Sequence, residues 1–111
     1  MASGIVQLSA TELAQWLAKP SNEAPVLLDV REPWEFEHAR IEGSLHLPMA
    51  QVPSCIEQLP THRAVVCICH HGVRSQQVAL FLRSKGFEEL YNLRGGIDAW
   101  SRDVDPACPL Y

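Results

Sequence analysis

An unbroken apolar run from Ala64 to Cys69 is the longest in this chain of 111 residues. The run is far too short to span a bilayer, and its β-branched residues favour a strand buried on both faces. Strands of this kind lie in the interior of parallel sheets whose two faces are covered by helices. The run therefore predicts the central strand of an α/β domain.

Shorter strand-like and helix-like segments alternate along the rest of the chain. Besides the central run, strands are predicted at residues 26–30, 45–47 and 90–93. A first helix is predicted to start at the Ser9–Glu12 capping box. Further helices are predicted over residues 33–38, beginning at Pro33, and over residues 53–59, 75–86 and 97–100, with Gly86 as a C-cap. Glu35 is predicted on the solvated face of its helix. The alternation predicts a mostly parallel central sheet with helices on both faces, in one domain over residues 1–111 with its core at 6–100 and an irregular tail at 101–111.

Composition narrows the classes of function. The formal net charge is −4, which argues against a nucleic-acid binder with its basic face. The N-terminal segment has no basic residue before Lys19 and no long apolar stretch, so no secretory signal is predicted. These features, with free cysteine thiols, lead us to expect a monomeric cytoplasmic protein without membrane or nucleic-acid partners.

Cys69 closes the apolar run and precedes a short polar loop with the sequence His70-His71-Gly72-Val73-Arg74-Ser75. Ser75 is predicted to cap the next helix, whose first turn offers unpaired N–H groups and the positive end of its dipole. Gly72 allows the loop to curl with its N–H groups facing inward, and Arg74 adds a fixed positive charge. These features favour a thiolate at Cys69, whereas a bare cysteine at a strand end is more often a small core residue.

The other cysteines are Cys55, Cys67 and Cys108. Cys67 lies inside the apolar run, on the same strand face as the candidate nucleophile, and is predicted to be a core residue. Cys55 and Cys108 have no charged surroundings in the sequence and are assigned no role. No metal site is predicted. Cys67, Cys69, His70 and His71 are clustered, but zinc sites usually draw ligand pairs from two separate segments, and no other histidine or cysteine supplies a clear second pair.

Three segments resemble, in order, the motifs of rhodanese domains. Residues 28–36 (LDVREPWEF) look like the early motif, residues 69–75 like the active-site loop, and residues 86–87 with 91–100 (YNLRGGIDAW) like the closing motif. The chain thus resembles a single-domain sulfurtransferase of the rhodanese family. It differs at residues 39–44, which read ARIEGS where many members have Gly-His-Ile-Pro-Gly-Ala.

The resemblance implies that Cys69 carries sulfur as a persulfide. Its thiolate would take the sulfane sulfur of a donor such as thiosulfate and pass it to cyanide, a thiol or a sulfur-relay protein. The amides of residues 70–74 would hold the persulfide, and Arg74 would steer an anionic donor. No cofactor is implied, and no motif identifies the physiological donor or acceptor.

The resemblance also places Asp29, Arg31 and Glu32 near the active face, as hydrogen-bonded and charged support for the loop. Contact between Arg31 and an anionic donor is the alternative. For His70 and His71, two interpretations stay open: acid–base groups, or exposed loop residues that shape the pocket.

Two other functions compete with sulfur transfer. A phosphatase or arsenate reductase would use the same pairing of cysteine and arginine, but with five residues between them, and here four residues separate Cys69 from Arg74. A non-catalytic or relay module is the second alternative, although modules of this family without activity usually lack the cysteine.

Overall fold

The structure, a computed structural model, describes residues 4–19 and 24–111. The strands are β1 (Ile5–Leu8), β2 (Val26–Asp29), β3 (Leu45–His46), β4 (Val65–Ile68) and β5 (Leu90–Leu93). The α-helices are α1 (Ala10–Ala18), α2 (Pro33–His38), α3 (Val52–Cys55), α4 (Val73–Ser84) and α5 (Gly96–Asp103). Short 3₁₀ helices at Met49–Gln51 and Ile56–Gln58 flank α3.

The strands form one parallel sheet in the order β1-β5-β4-β2-β3. The central position of β4 confirms the prediction from its apolar run, and its four residues are all buried. The sequence did not predict β1, which pairs with β5 at one edge. Val6 and Gln7 of β1 are both exposed, so this strand lacks the alternation that identifies a half-buried strand.

Alternate residues of β4 supply two separate cores. Val65 and Cys67 face one core, which α3 and α4 cover, and Val66 and Ile68 face the other, which α1 and α5 cover. This arrangement confirms helices on both faces of the sheet. Leu82 of α4 is fully buried, and burial of a leucine side chain contributes about 1.5–3 kcal/mol to folding.

Local signals correctly predicted several helix ends. The Ser9 hydroxyl accepts from the Glu12 N–H at 3.1 Å, and the Glu12 carboxylate accepts from the Ser9 N–H at 2.8 Å. Gly86 follows α4 with φ +98°, and its N–H donates to the Arg83 carbonyl at 3.1 Å. A left-handed residue in this position favours glycine, which explains why the helix ends there.

The structure corrects three element boundaries. Helix α4 begins at Val73 with Gly72 as its N-cap, so the prediction that Ser75 caps this helix is wrong. Helix α3 ends at Cys55 and continues only as a 3₁₀ turn, so the predicted helix over 53–59 is broken. Helix α5 extends to Asp103, which places three residues of the predicted irregular tail inside a helix.

Because the strands are parallel, the carboxyl ends of β2, β4 and β5 meet at one edge of the sheet. Ligand sites of parallel α/β sheets lie at this edge. Cys69 directly follows β4 there. No helix in the described part of the chain is long and apolar enough to cross a bilayer.

Candidate active site

The Cys69 sulfur lies beneath its own loop. The residue is 1% exposed, and its Sγ accepts a hydrogen bond from the Gly72 N–H at 3.1 Å. The Ser75 hydroxyl lies 3.2 Å from the same sulfur. Cys69 is therefore buried, but an amide and a hydroxyl are directed at its sulfur, which a simple core cysteine does not require.

Backbone conformation creates this arrangement. Gly72 has φ +104°, in the left-handed region where glycine is favoured, and it is the N-cap of α4. The chain therefore turns sharply between Cys69 and Val73, which directs the Gly72 amide back at the sulfur. The N-terminus of α4, with its partial positive charge, lies at the same point.

The first turn of helix α5 donates hydrogen bonds to the loop that begins at Cys69. The Ile97 N–H donates to the Cys69 carbonyl at 2.9 Å, and the Asp98 N–H donates to the His70 carbonyl at 3.1 Å. Gly96 has φ +59°, and a Cβ at this position would overlap with both carbonyl oxygens. The first turn of α5 thus binds the loop carbonyls in a contact that only glycine permits.

Asn92 on β5 is a site residue that sequence reasoning missed. It is 3% exposed, and its Oδ1 lies within hydrogen-bonding distance of the Ser75 hydroxyl. Its Nδ2 donates to the Gly72 carbonyl at 3.1 Å and to Gln7 Oε1 at 2.9 Å. The available signal was an amide side chain in an otherwise apolar strand, because buried polar groups need partners.

Arg74 is paired with Glu35. Its Nη1 and Nη2 donate to the two Glu35 carboxylate oxygens at 2.7 and 2.9 Å, and these bonds raise the pKa of Arg74. Glu35 is 4% exposed, so its predicted solvated position is wrong. The Arg74 bonds lower the pKa of Glu35 to about 2. The guanidinium that was predicted to add a fixed positive charge to the loop therefore carries a compensating carboxylate.

Asp29 and Arg31 form a fully buried ion pair. Arg31 Nε donates to Asp29 Oδ1 at 2.8 Å, and its Nη2 donates to Asp29 Oδ2 at 2.7 Å. Burial opposes the charge of Arg31, but the hydrogen bonds to Asp29 and Tyr111 outweigh it and raise the pKa of Arg31. With 0% exposure, Arg31 has no surface for an anionic donor and acts as internal support.

Glu32 contributes to this region through its backbone. Its side chain is exposed, and it is the N-cap of α2. The Glu32 N–H donates to Glu35 Oε1 at 2.9 Å. Glu32 therefore helps to fix the carboxylate that binds Arg74.

The loop histidines form an aromatic stack with the tail. His70 lies between His71 and Tyr111, with ring centroids 3.9 Å apart in both pairs. Burial and the neighbouring His71 lower the pKa of His70, which favours the uncharged form of its ring. His71 and Val73 are exposed at the rim.

A comparison with known proteins identifies the family. The family model described as the Rhodanese-like domain matches residues 9–103. The chain belongs to the rhodanese-like domain family. This membership confirms the resemblance found in the sequence motifs.

Relatives of this rhodanese-like chain include named enzymes. A sulfurtransferase of Allochromatium vinosum is 38% identical over 96 residues, covering 86% of this chain and 88% of that protein. The thiosulfate sulfurtransferase GlpE of Tolumonas auensis is 35% identical over 104 residues and 94% of each chain. The solved structure of a rhodanese-related protein from Thermoplasma volcanium has a TM-score of 0.80 at 27% identity, covering 89% of this chain and 93% of that one.

The remaining cysteines of the rhodanese-like chain pack in or beside the two cores. Cys67 is fully buried, and burial raises its pKa to about 12, which keeps the thiol protonated and fits its prediction as a core residue. Cys108 is buried in the second core, and Cys55 packs beside the first.

Among residues 4–19 and 24–111, one group of side chains has the composition of a metal site. His70, His71 and Asp98 each place one potential ligand atom within 4.8 Å of the others. The two imidazole rings are stacked, whereas ring nitrogens that share one ion must point at a common centre. Asp98 already accepts from Arg102 Nε at 2.9 Å. An ion would therefore have to turn one ring and compete with an ion pair.

Proposed function

We propose that this protein transfers sulfane sulfur from a thiosulfate-like donor to a thiophilic acceptor through a persulfide on Cys69. One observation carries the proposal: the Cys69 sulfur faces the Gly72 amide and the Ser75 hydroxyl at the N-terminus of α4. Donors aimed at a sulfur stabilise its anionic form. The named sulfurtransferase relatives support the same assignment.

The reaction has two covalent steps. The Cys69 thiolate attacks the outer sulfur of the donor, a new S–S bond forms, and the donor S–S bond breaks. With thiosulfate, sulfite leaves with the electron pair. The acceptor then attacks the outer sulfur of the persulfide, and the Cys69 thiolate is released. Such double displacement gives ping-pong kinetics.

The surrounding charges suggest how the loop serves this chemistry. Arg74 and Glu35 neutralise each other, so the Gly72 amide, the Ser75 hydroxyl and the helix dipole are the nearest stabilising groups for an anionic sulfur. Burial lowers the pKa of His70, and its ring is stacked between His71 and Tyr111, which favours a role in shaping the pocket over proton donation. A sulfur-relay protein as acceptor, a cytoplasmic location and a monomeric state remain predictions from the sequence.

The test is steady-state kinetics with thiosulfate and cyanide. Cys69→Ser is expected to lower turnover by at least about a thousandfold, because the covalent step is lost. Cys67→Ala is the matched control, since it removes the neighbouring thiol and leaves the loop intact. Full turnover by Cys69→Ser contradicts the proposal, as does faster hydrolysis of a phosphate ester than sulfur transfer by the unaltered protein.

A further inference from the structure

The Ser75 hydroxyl has two partners and one proton. Its oxygen lies 3.2 Å from the Cys69 sulfur and closer still to Asn92 Oδ1. A serine hydroxyl donates one hydrogen bond and accepts up to two. Ser75 can therefore donate to the sulfur or to Asn92, but not to both at once.

The orientation of the Asn92 amide decides between the two partners. The Gly72 carbonyl can only accept, so the Asn92 atom 3.1 Å from it must be the Nδ2 donor. Oδ1 then faces Ser75 and can only accept. Because Asn92 is 3% exposed, water has little access to replace a lost donor. An unpaired buried acceptor is costly, so the Ser75 proton is held by Asn92.

We propose that Asn92 is a positioning residue that sets the direction of the Ser75 hydroxyl and so restrains the nucleophilicity of Cys69. In the resting thiol, Cys69 S–H donates to the Ser75 oxygen and Ser75 donates to Asn92. When the thiol proton is lost to water, Ser75 turns its own proton to the sulfur and Asn92 Oδ1 loses its donor. The link to sulfur transfer rests on the proposed function, but the hydrogen-bond arrangement does not.

Alkylation of Cys69 measures this restraint without a sulfur donor. The rate with iodoacetamide at pH 7 is followed by fragmentation mass spectrometry of the peptide that holds Cys69. Cys67 lies on the same peptide, so the fragment ions that break between the two residues are used to distinguish their thiols. Asn92→Val removes the acceptor and frees the Ser75 proton for the sulfur. One hydrogen bond raises the thiolate fraction about three- to tenfold, but the stabilised thiolate is a weaker nucleophile. The expected alkylation rate is therefore about two- to threefold higher.

A double-mutant cycle shows whether Asn92 acts through Ser75. Ser75→Ala removes the hydroxyl, and adding Asn92→Val to it is expected to leave the alkylation rate of the single Ser75→Ala variant unchanged. Gln7→Met is the matched control, because it removes one partner of Asn92 Nδ2 while the Gly72 carbonyl still fixes the amide. Its rate is expected to equal that of the unaltered protein.

Two results overturn the proposal: an Asn92→Val rate equal to that of the unaltered protein, or an equal acceleration in the Ser75→Ala background. If circular dichroism shows that Asn92→Val does not fold, the infrared S–H stretch of the unaltered protein is measured in place of the alkylation rate of this variant. The difference spectrum against Cys69→Ser is expected to show a hydrogen-bonded S–H band that moves to higher frequency in Ser75→Ala. A band already at the frequency of a free thiol contradicts the proposal. Neither the alkylation rate nor the infrared band depends on sulfur transfer. Failure of the proposal for Asn92 can therefore be distinguished from failure of the proposed function.

Discussion

The ring of Tyr111 lies face to face with the ring of His70, with centroids 3.9 Å apart and planes 6° from parallel. The Tyr111 hydroxyl also donates to Glu35 Oε2 at 2.9 Å and accepts from Arg31 Nη1 at 2.7 Å. Burial raises the pKa of Tyr111 to about 12, so it keeps the proton that it donates. One side chain of the tail thus joins the loop of residues 70–75 to both nearby ion pairs.

Tyr111→Phe is expected to destabilise the protein by about 1–3 kcal/mol, because two hydrogen bonds to charged groups are lost while the ring stack stays. Urea denaturation measures this change. Tyr111→Ala also removes the stack, so amide exchange in residues 70–75 is expected to rise in Tyr111→Ala and not in Tyr111→Phe. Leu110→Ala, at a site 51% exposed, is the control and should change neither quantity. Equal exchange in Tyr111→Ala and the unaltered protein contradicts a role of the stack in ordering the loop.

Glu35 makes stability depend on acid pH. The pKa of Glu35 is about 2 in the folded protein, below the ordinary value of a glutamate carboxyl. Ionised Glu35 therefore stabilises the fold at any pH above that ordinary pKa. This contribution is lost as the pH falls from about 5 towards 2. Glu35→Gln is expected to cost roughly 1–3 kcal/mol at pH 7, a value reduced for the partial exposure of Arg74. The difference in melting temperature between Glu35→Gln and the unaltered protein should shrink steadily below pH 5.

The exposed Glu37 on the same helix provides the control for this prediction. Glu37→Gln is expected to show little change in stability at any pH, because surface substitutions without defined partners are usually near neutral. A difference between Glu35→Gln and the unaltered protein that stays constant from pH 7 to pH 2 would show that the Arg74 pair does not account for the effect.

Substitutions at two glycines distinguish the effect of backbone strain from the effect of contact with the loop. Gly96 and Gly43 both have positive φ, and a methyl group costs about 1–2 kcal/mol in that conformation. A Cβ at Gly43 meets nothing within 4 Å, whereas a Cβ at Gly96 overlaps with the Cys69 and His70 carbonyls. Gly96→Ala is therefore expected to abolish most sulfur transfer, while Gly43→Ala loses stability and keeps turnover. Comparable turnover in both variants argues against α5 as the anchor of the loop.

The sheet was predictable because its signals are local. The apolar run of β4 is buried on both faces, the Ser9–Glu12 pair forms the predicted capping box, and Gly86 ends α4. The unpredicted β1 has two exposed residues and gains its place by pairing with β5, which lies far along the chain. A strand that forms through such distant pairing need not show the alternation of apolar and polar residues by which a strand is predicted from sequence.

The site was predictable where the loop determines its own geometry. Cys69 and Gly72 are three residues apart, and the turn between them follows from glycine and the helix start. The partners of the loop are remote: Glu35 is 39 residues from Arg74, and Tyr111 is 80 residues from Arg31. Nothing in the local sequence around Glu35 distinguishes a buried carboxylate from a solvated one, which explains why its prediction was wrong.

Intact-mass spectrometry after incubation with thiosulfate tests the central assignment most directly. The account predicts a gain of one sulfur atom, mapped by digestion under non-reducing conditions to the peptide that holds Cys69, and removed on addition of cyanide. Cys67 lies two residues away on the same peptide, so Cys67→Ala is measured in parallel and is expected to gain the same mass. A chain that gains no sulfur, or gains it on another cysteine, contradicts the persulfide mechanism.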